Sequence, residues 1–533
     1  MVGFNRTRVP RMRPTRSKLI RFALCLLVGC SAPPMATAAD PTEDDFYPIV
    51  TIAASQSQSK SRSKYWLPPK GLTLEVSGID VLPDGRVAVA IRKGEIWFLD
   101  NVYENPPRRV RYHRFASGLH EPLGLMYDKK SFYVLQRAEL TRIADTDGDD
   151  VADLYTTVAK GWQVTGNYHE YAYGPKKDKN GDLWLTLNVG ISLSPLQRRK
   201  VLDTSSGNAG ISRWRGWGMR VDSQGRLTAE CAGMRSPCGI GSNLAGDMFF
   251  TDQQGNWIGT CTLHHLQRGA FYGHVDSLPS TNLRSSPIRK ISAVPANLPF
   301  PVAAKRLKEL KLPAIWFPYK KMGQASTDIA CDRTSGRFGP FAGQLFVGDF
   351  TTSSIGRVFL ERVRGEYQGA CFPFRRGFAS AVLRMEFGKD GSMFVGLTNR
   401  GWSSVGNASF GLQRLIWTKK VPFEFKEMKA RPDGFELVYT KPVGKSAGIT
   451  SAYSMASYTY RYQKKYGSDE IEKKTLKIKS AVILPDRRRV RIVVEGLRPG
   501  YVHELRGDAV RSSSGDKLLH PDAYYTLNRI PRR

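Results

Sequence analysis

The first 39 residues contain no Asp or Glu, although they carry seven Lys and Arg residues. They also lack a long hydrophobic run. The apolar stretch covers only residues 22–29, whereas a transmembrane helix needs about 20 apolar residues. A basic head before a short apolar run is typical of a secretory signal and argues against a membrane-spanning anchor. The sequence therefore predicts a signal peptide over residues 1–39 and export to the periplasm or the cell surface.

Two processing sites compete within this leader. Residues 27–30, Leu-Val-Gly-Cys, resemble the lipobox of bacterial lipoproteins, in which the cysteine becomes the lipidated first residue. Residues 36–38, Ala-Thr-Ala, form an ordinary cleavage site. The first site predicts membrane attachment through a lipidated Cys30, and the second predicts a mature protein without a lipid.

The chain also lacks the cysteine spacings of metal and haem sites. It has no C-x-x-C pair, which argues against a zinc site and against a c-type haem of its own. Beyond the leader there are five cysteines, an odd number that leaves at least one thiol unpaired: Cys231, Cys238, Cys261, Cys331 and Cys371. Cys231 and Cys238 could pair with each other or with Cys261, and spacing does not decide between these pairings.

Positive charge is in large excess, with 80 Lys and Arg against 48 Asp and Glu and a net charge of +32. The basic residues are scattered, apart from short runs at 487–491 and 532–533, and no nucleic-acid-binding motif accompanies them. This argues against nucleic acid as a partner and favours other acidic partners such as anionic polysaccharide or lipid headgroups. Hydrophobic residues at 41% and a length of 533 predict a globular protein of more than one domain.

A turn containing Asp, Asn or Gly recurs along the chain, each time followed by a strongly apolar strand. Six such units begin at Pro83, Asp128, Asn180, Ala245, Ala342 and Asp390. A repeat of about 40 to 50 residues is typical of β-propellers. The sequence thus predicts an all-β chain with a six-bladed propeller over residues 72–418, behind an N-terminal linker at 40–71.

Two segments depart from the repeat. Residues 276–327 form an insertion rich in Pro and Lys, with a helical pattern at 303–311; an insertion of this length is either a lid over a site or a solvated excursion. Residues 422–533 contain at least four short strands without the repeated turn. They predict an immunoglobulin-like or fibronectin-like β-sandwich.

Acidic residues alternate from position 145 to position 153, around Gly148. Ca²⁺ takes six to eight oxygen ligands, and this loop offers five candidates: Asp145, Asp147, Asp149, the Val151 carbonyl and Asp153. The alternative is a solvated acidic turn, which carries strong repulsion among its carboxylates. A calcium ion here would stabilise a connection between strands and take no part in catalysis.

His169 and Glu170 precede the third repeated strand, where propeller sites are built. They are candidate catalytic residues because histidine is a natural general base near neutral pH; the alternative is a buried packing histidine. Arg235 lies in a glycine-flanked loop before the fourth strand, placed to bind a carboxylate. The further candidates for cofactor binding follow the fourth and sixth repeated strands: Asp252, Gln253, Asn256 and Arg400.

These motifs resemble the glucose/sorbosone dehydrogenase propellers, in the branch found in planctomycetes. The resemblance covers about residues 72–417 and rests on these stretches: His169-Glu170, Arg235-Ser-Pro-Cys-Gly239, Asp252-Gln-Gln-Gly-Asn256 and Tyr272-Gly-His274. One departure is Ser236, where relatives often have Asn. The resemblance implies pyrroloquinoline quinone (PQQ) and Ca²⁺ as cofactors, His169 as base and Arg235 as the residue that binds the quinone carboxylates.

The expected function follows from this resemblance. The chain would be an exported quinoprotein-like dehydrogenase that oxidises a sugar or related alcohol at the channel mouth and passes electrons to a separate acceptor. The alternative is a non-catalytic surface propeller that binds envelope glycans or proteins.

Overall fold

The computed structural model describes residues 40–53, 72–191 and 213–532. Almost all regular structure in these ranges is antiparallel β, and the helices are short. They are α1 (Phe300–Arg306) and the 3₁₀ segments Glu43–Asp45, Val275–Asn282, Lys445–Gly448 and Thr450–Ala452. None of them is long and apolar enough to cross a membrane. The predicted all-β class is confirmed, while the predicted signal peptide, both processing sites and most of the linker lie outside the described residues.

Beyond β1 (Ile49–Ile52), the strands follow one another in four-stranded meanders. The first sheet consists of β2 (Val76–Val81), β3 (Val87–Ile91), β4 (Glu95–Asp100) and β5 (Arg111–Ala116). The second consists of β6 (Leu125–Asp128), β7 (Ser131–Leu135), β8 (Glu139–Ala144) and β9 (Leu154–Lys160). The third consists of β10 (Ala172–Lys177), β11 (Leu183–Leu187), β12 (Trp217–Val221) and β13 (Leu227–Ala232).

Three further sheets continue the pattern. The fourth pairs β14 (Gly239–Ser242), β15 (Met248–Asp252), β16 (Cys261–His265) and β18 (Ile315–Phe317), with the two-residue β17 (Leu298–Pro299) and α1 between the last two. The fifth pairs β19 (Ser326–Cys331), β20 (Leu345–Asp349), β21 (Ser354–Val363) and β22 (Glu366–Arg375). The sixth pairs β23 (Val382–Phe387), β24 (Met393–Thr398) and β25 (Phe410–Leu415), and β1 completes it by pairing with β25.

Burial explains why the repeated strands are so apolar. The second strand is buried along its whole length in five sheets, namely β3, β11, β15, β20 and β24. A strand covered on both faces has no solvent side and needs no polar alternation. The first strands also contact one another in a closed ring, in the order β2, β6, β10, β14, β19, β23 and back to β2. This arrangement of four-stranded sheets is consistent with a propeller.

The C-terminal segment adds two more four-stranded sheets. One consists of β26 (Phe425–Arg431), β27 (Gly434–Tyr439), β31 (Ile478–Ile483) and β32 (Arg489–Val494). The other consists of β28 (Ser454–Thr459), β30 (Ile471–Leu476), β33 (Tyr501–Arg506) and β34 (Asp522–Leu527), while β29 (Arg461–Tyr462) pairs with β17. Because β34 pairs with β22, this second sheet continues the fifth sheet into one of eight strands.

The segment predicted as an insertion, residues 276–327, contains regular structure. It supplies β18, the outer strand of the fourth sheet, and its predicted helix ends at Arg306 instead of position 311. Phe300 is buried and its ring lies 5.5 Å from that of Tyr462, in the C-terminal segment. The middle of the segment is therefore anchored by packing.

The five cysteines beyond the leader are free thiols. The Sγ of Cys261 accepts the backbone N–H groups of Gln254 and Ser326 at 3.4 Å each, and burial raises the pKa of this thiol to about 12. The pairings that spacing allowed among Cys231, Cys238 and Cys261 are not formed. Each of these thiols is instead enclosed in its own packed surroundings.

Candidate functional site

A cavity of about 490 Å³, here called the central cavity, lies at one end of the ring of first strands. Each of the six sheets contributes a lining residue from the segment that enters its first strand or from that strand itself: Ser77, Leu123, Tyr173, Cys238, Ala325 and Leu383. Its volume falls within the range of small-molecule sites, which is about 300 to 1,000 Å³. Convergence of all six sheets places the cavity at the mouth of the channel.

His169 lines the central cavity and is held in one orientation. Its backbone N–H donates to the Asn167 side-chain oxygen at 3.0 Å, and its Nδ1 lies 2.9 Å from the Val189 carbonyl oxygen. A carbonyl only accepts hydrogen bonds, so Nδ1 carries the proton and Nε2 has a free lone pair. Nε2 lies 3.0 Å from the Ser236 hydroxyl, which donates to it.

Burial lowers the pKa of His169 to about 4, although the Val189 carbonyl opposes this shift and the positive charge of Arg235 adds to it. The imidazole is therefore neutral at neutral pH. A neutral ring whose Nε2 lone pair is held by a single hydroxyl is able to accept a proton from another hydroxyl.

Glu170 faces away from the cavity. It is buried, and its two carboxylate oxygens accept the backbone N–H of Thr165 at 2.6 Å and the hydroxyl of the same residue at 2.9 Å. It is not among the residues that line the central cavity. Its position fixes the turn that carries His169.

Asp252 organises the loop that carries Arg235. Its carboxylate accepts the backbone N–H groups of Arg235 at 2.8 Å, Ser236 at 2.7 Å and Gln253 at 2.9 Å. Burial raises the pKa of Asp252 to about 6, although these donors oppose the shift. Asp252 does not itself line the cavity, so it acts on the site through the loop.

The Arg235 guanidinium lies at the cavity wall and is only 7% exposed as a residue. It packs against Gly255, where a Cβ would lie 1.9 Å from Nε, and it sits 5.3 Å from the centre of the Tyr466 ring. Among the described residues Nε has no hydrogen-bond partner and no carboxylate pairs with the guanidinium within 4.0 Å. The buried carboxylate of Asp252 interacts with Arg235 electrostatically without forming an ion pair. A buried cation that contacts no anion directly is costly and favours an anionic ligand.

The other predicted cofactor-binding residues separate into two groups. Gln253 and Arg400 line the central cavity; Gln253 donates to the Ser326 carbonyl at 3.3 Å, and Arg400 lies 3.6 Å from Glu75. Asn256 does not line it, and its side-chain amide donates to the Lys464 carbonyl at 2.9 Å. Asn256 thereby holds the loop that brings Tyr466 to the cavity.

Sequence reasoning missed several residues of the lining. Arg92 donates to Glu121 at 3.0 Å and to the Tyr171 hydroxyl at 2.7 Å, and Tyr171 also lines the cavity. Tyr168 and Tyr171 flank the His169-Glu170 pair, so their aromatic character was a signal in the sequence itself. Tyr466 carried no such signal, since only the fold brings the C-terminal segment to this position.

The acidic loop lies between β8 and β9, away from the cavity lining. Carboxylate oxygens of Asp145, Asp147 and Asp149 lie within 4.8 Å of one another. Asp153 is not in this group, and its carboxylate accepts the Thr146 hydroxyl at 2.6 Å. Three of the four predicted carboxylate ligands are therefore grouped, and the Val151 carbonyl stays a predicted ligand.

Comparison with known proteins places the chain beside a family without an assigned activity. A family model described as a domain of unknown function (DUF7133) matches residues 110–360. No curated protein matches the chain.

Solved structures similar to this chain include three enzymes. One, from Thermus thermophilus, is described as a "putative oxidoreductase (glucose dehydrogenase)", with 18% identity, coverage of 64% of this chain and 97% of that chain, and a TM-score of 0.46. Another is the PQQ-bound aldose sugar dehydrogenase of Streptomyces coelicolor, with 13% identity, coverage of 71% and 99%, and a TM-score of 0.43. The third is the soluble aldose sugar dehydrogenase of Escherichia coli, with 11% identity, coverage of 69% and 99%, and a TM-score of 0.44. Each of these three is described as a glucose or aldose sugar dehydrogenase. The predicted resemblance to this group of propellers is confirmed, while the site residues and the substrate of this chain stay predictions.

Proposed function

We propose that this protein is an oxidoreductase that dehydrogenates a sugar or related alcohol in the central cavity, with PQQ as its cofactor. The observation that carries the proposal is the pair of complementary groups in one cavity. Nε2 of His169 is a hydrogen-bond acceptor, and Arg235 is a buried cation without an anionic partner among the described residues. A proton acceptor beside an unsatisfied cation suits an alcohol substrate together with an anionic cofactor.

The lining suits PQQ, a planar molecule with three carboxylates. Arg235 would hold one carboxylate, and Arg400, 3.6 Å from Glu75, also lines the cavity as a second guanidinium. Aromatic rings for stacking are supplied by Tyr466 and Trp402. When bound, PQQ would supply the two-electron acceptor. Glu75 is the only carboxylate among the described lining residues, so we place the expected calcium ion elsewhere.

His169 would take the proton from the substrate hydroxyl at Nε2. The Ser236 hydroxyl occupies that lone pair and would rotate away, while the Val189 carbonyl keeps the ring in place. An imidazolium is disfavoured here by burial and by Arg235. The proton would therefore be held only briefly and released through the open end of the cavity.

The test is a PQQ titration of the purified protein, followed by dye reduction with a panel of aldoses. His169→Ala should bind PQQ normally but lose at least about 10²-fold in turnover, the usual contribution of a general base. Arg235→Gln should weaken PQQ binding itself. The control is His120→Ala, an exposed histidine outside the cavity lining. Absence of PQQ binding by the unaltered protein would overturn the proposal.

The second candidate is a surface module that binds envelope glycans or proteins without catalysis. The observation in its favour is the pair of exposed rings on the lining, Tyr168 at 63% and Trp402 at 42% exposure. Aromatic faces of this kind bind sugar rings. Saturable glycan binding by a protein that takes up no PQQ would favour this candidate.

Four expectations complete the proposal. The six meanders would be the blades of one propeller, supported by the ring of first strands, and the last two sheets would form a sandwich around the core that contains Phe435, Leu437 and Tyr525. Ca²⁺ would bind Asp145, Asp147 and Asp149 as a structural ion. The protein would be exported to the periplasm or cell surface, with either a lipidated Cys30 or cleavage after Ala38. Electrons would leave to a separate acceptor.

A further inference from the structure

A second cavity of about 330 Å³, here called the lateral cavity, shares no lining residue with the central one. Its walls come from the end of β16, the segment from α1 to β18, the start of β22 and the C-terminal segment. It lies where strand β34 has joined the C-terminal sheet to the fifth sheet. Nothing in the proposed dehydrogenation uses it.

The lining of the lateral cavity has an excess of positive charge. Four cations line it, Lys305, Lys308, Lys311 and Arg529, against the single carboxylate of Glu366. None of the four forms an ion pair in the described parts of the chain. Arginines elsewhere on the surface are commonly neutralised, as Arg268 is by Glu230 at 2.9 Å. The unneutralised group attracts an anion.

The wall also contains an acceptor that lacks a donor. Asn528 is 7% exposed, and its side-chain N–H₂ donates to the Pro313 carbonyl at 2.8 Å, which fixes the amide orientation. Its Oδ1 accepts no hydrogen bond in the described structure. An anion would be repelled by this oxygen, whereas a hydroxyl group would satisfy it.

Apolar and aromatic surface makes up much of the remainder. Tyr367 contributes a partly exposed ring and Leu312 a partly exposed aliphatic side chain, whereas Tyr272 and Leu310 are 1% and 3% exposed and offer almost no surface to a ligand. Surfaces of this kind pack against the C–H faces of sugar rings. The volume is at the small end of the range for ligand cavities, which suits one or two rings.

We propose that the lateral cavity binds a saccharide that carries a carboxylate or a sulfate group. A ring hydroxyl would donate to Asn528, and the anionic group would lie among Lys305, Lys308 and Lys311. One acidic sugar residue carries both a hydroxyl group and an anionic group. An extended acidic peptide offers the charge without the hydroxyl.

The test is calorimetric titration of the full chain, without PQQ, with three oligosaccharides of equal length. One carries carboxylates, one carries sulfates and one is neutral; pentaglutamate is the peptide arm. We expect an anionic oligosaccharide to bind at least tenfold more tightly than the neutral one, with affinity that falls as salt rises. The anionic oligosaccharide that binds more tightly shows whether the cavity prefers a carboxylate or a sulfate group.

The key variant is Lys308→Gln/Lys311→Gln, which should weaken binding at least tenfold. The matched control is Lys474→Gln/Lys477→Gln, two exposed lysines with the same spacing on the C-terminal sheet. A second variant, Asn528→Ala, removes the acceptor for the sugar hydroxyl. It should weaken sugar binding and leave any pentaglutamate binding unchanged. Three results would each overturn the inference. They are the absence of saturable binding, an equal loss of affinity in both lysine double variants, and binding of pentaglutamate as tight as that of the sugar. Because PQQ is absent, failure here is separate from failure of the dehydrogenase proposal.

Discussion

Asp252 illustrates how a residue outside a cavity controls the site. Its carboxylate accepts three backbone N–H groups, including those of Arg235 and Ser236. Arg235 then presents its guanidinium to the cavity, and Ser236 presents its hydroxyl to His169. One buried carboxylate thus sets the position of the residue that would bind the cofactor and of the hydroxyl that contacts the proposed base.

Asp252→Asn should loosen this loop. The asparagine oxygen keeps the hydrogen bonds from Ser236 and Gln253, but its amide N–H₂ faces the N–H of Arg235, so two donors oppose each other. We expect a loss of about 1 to 3 kcal/mol in the free energy of unfolding and weaker ligand binding in the central cavity. Urea denaturation measures the first effect. An Asp84→Asn variant, at an exposed site, should differ little from the unaltered protein, and equal stability of both variants would contradict the role of Asp252.

Single turns and strands could be predicted from the sequence because their residue types determine their local conformation. The turns that carry Gly85, Gly181 and Gly391 have φ near +90°, which only glycine adopts at no cost. They mark the repeat because each is followed by a buried strand. The site was predictable to the same extent: His169, Arg235, Gln253 and Arg400 line the cavity, as their place before or after repeated strands suggested.

Pairings between strands that lie far apart in the sequence explain which parts of the fold the sequence did not predict. Strand β18 joins the fourth sheet after a connection of many residues, and β34 pairs with β22 across the C-terminal segment. No local pattern encodes such partners. Glu170 and Asn256 were drawn into the predicted site because they lie near lining residues in the sequence, but Thr165 holds the Glu170 carboxylate and the Lys464 carbonyl accepts the Asn256 amide.

The loop between β8 and β9 offers a test of an element. If Ca²⁺ binds there, adding it should raise the melting temperature by linkage, corresponding to about 2.7 kcal/mol at a concentration of 100 Kd. Asp147→Asn should abolish the response, and no described hydrogen bond of the loop depends on that side chain. Calorimetry with calcium and then with EDTA measures it. The control variant Asp508→Asn, at an exposed site, should keep the response to calcium. A melting temperature that EDTA does not change would show that the loop is an acidic turn that binds no ion.

The molecule as a whole is tied together near its two ends. His520, in the C-terminal segment, lies 2.6 Å from Glu424 and 3.0 Å from Glu43, and Arg375 of β22 also pairs with Glu43 at 3.0 Å. Burial alone would lower the pKa of His520, but the carboxylates of Glu424 and Glu43 raise it to about 9. The protonated imidazole therefore links the N-terminal segment to the C-terminal one.

This link should depend on pH. A histidine whose pKa rises from 6.5 to about 9 on folding stabilises the protein fully below pH 6.5 and loses that effect as pH rises through 9. His520→Gln should remove it, a difference of about 3 kcal/mol at pH 6 that vanishes by pH 10. Denaturation curves of both proteins across this range give the comparison. A difference that stays constant with pH would show that the histidine contributes by packing alone.

The pairing of β1 with β25 has a consequence for the order in which the protein is made. Thr51 and Gln413 share a side-chain hydrogen bond across this pair, although they are 362 positions apart. During synthesis β1 leaves the ribosome before its partner β25 has been made. Its backbone therefore stays unpaired until nearly four-fifths of the polypeptide has left the ribosome. The sixth sheet is then the last of the ring to form, and any fragment that stops before it exposes two open sheet edges to other nascent chains.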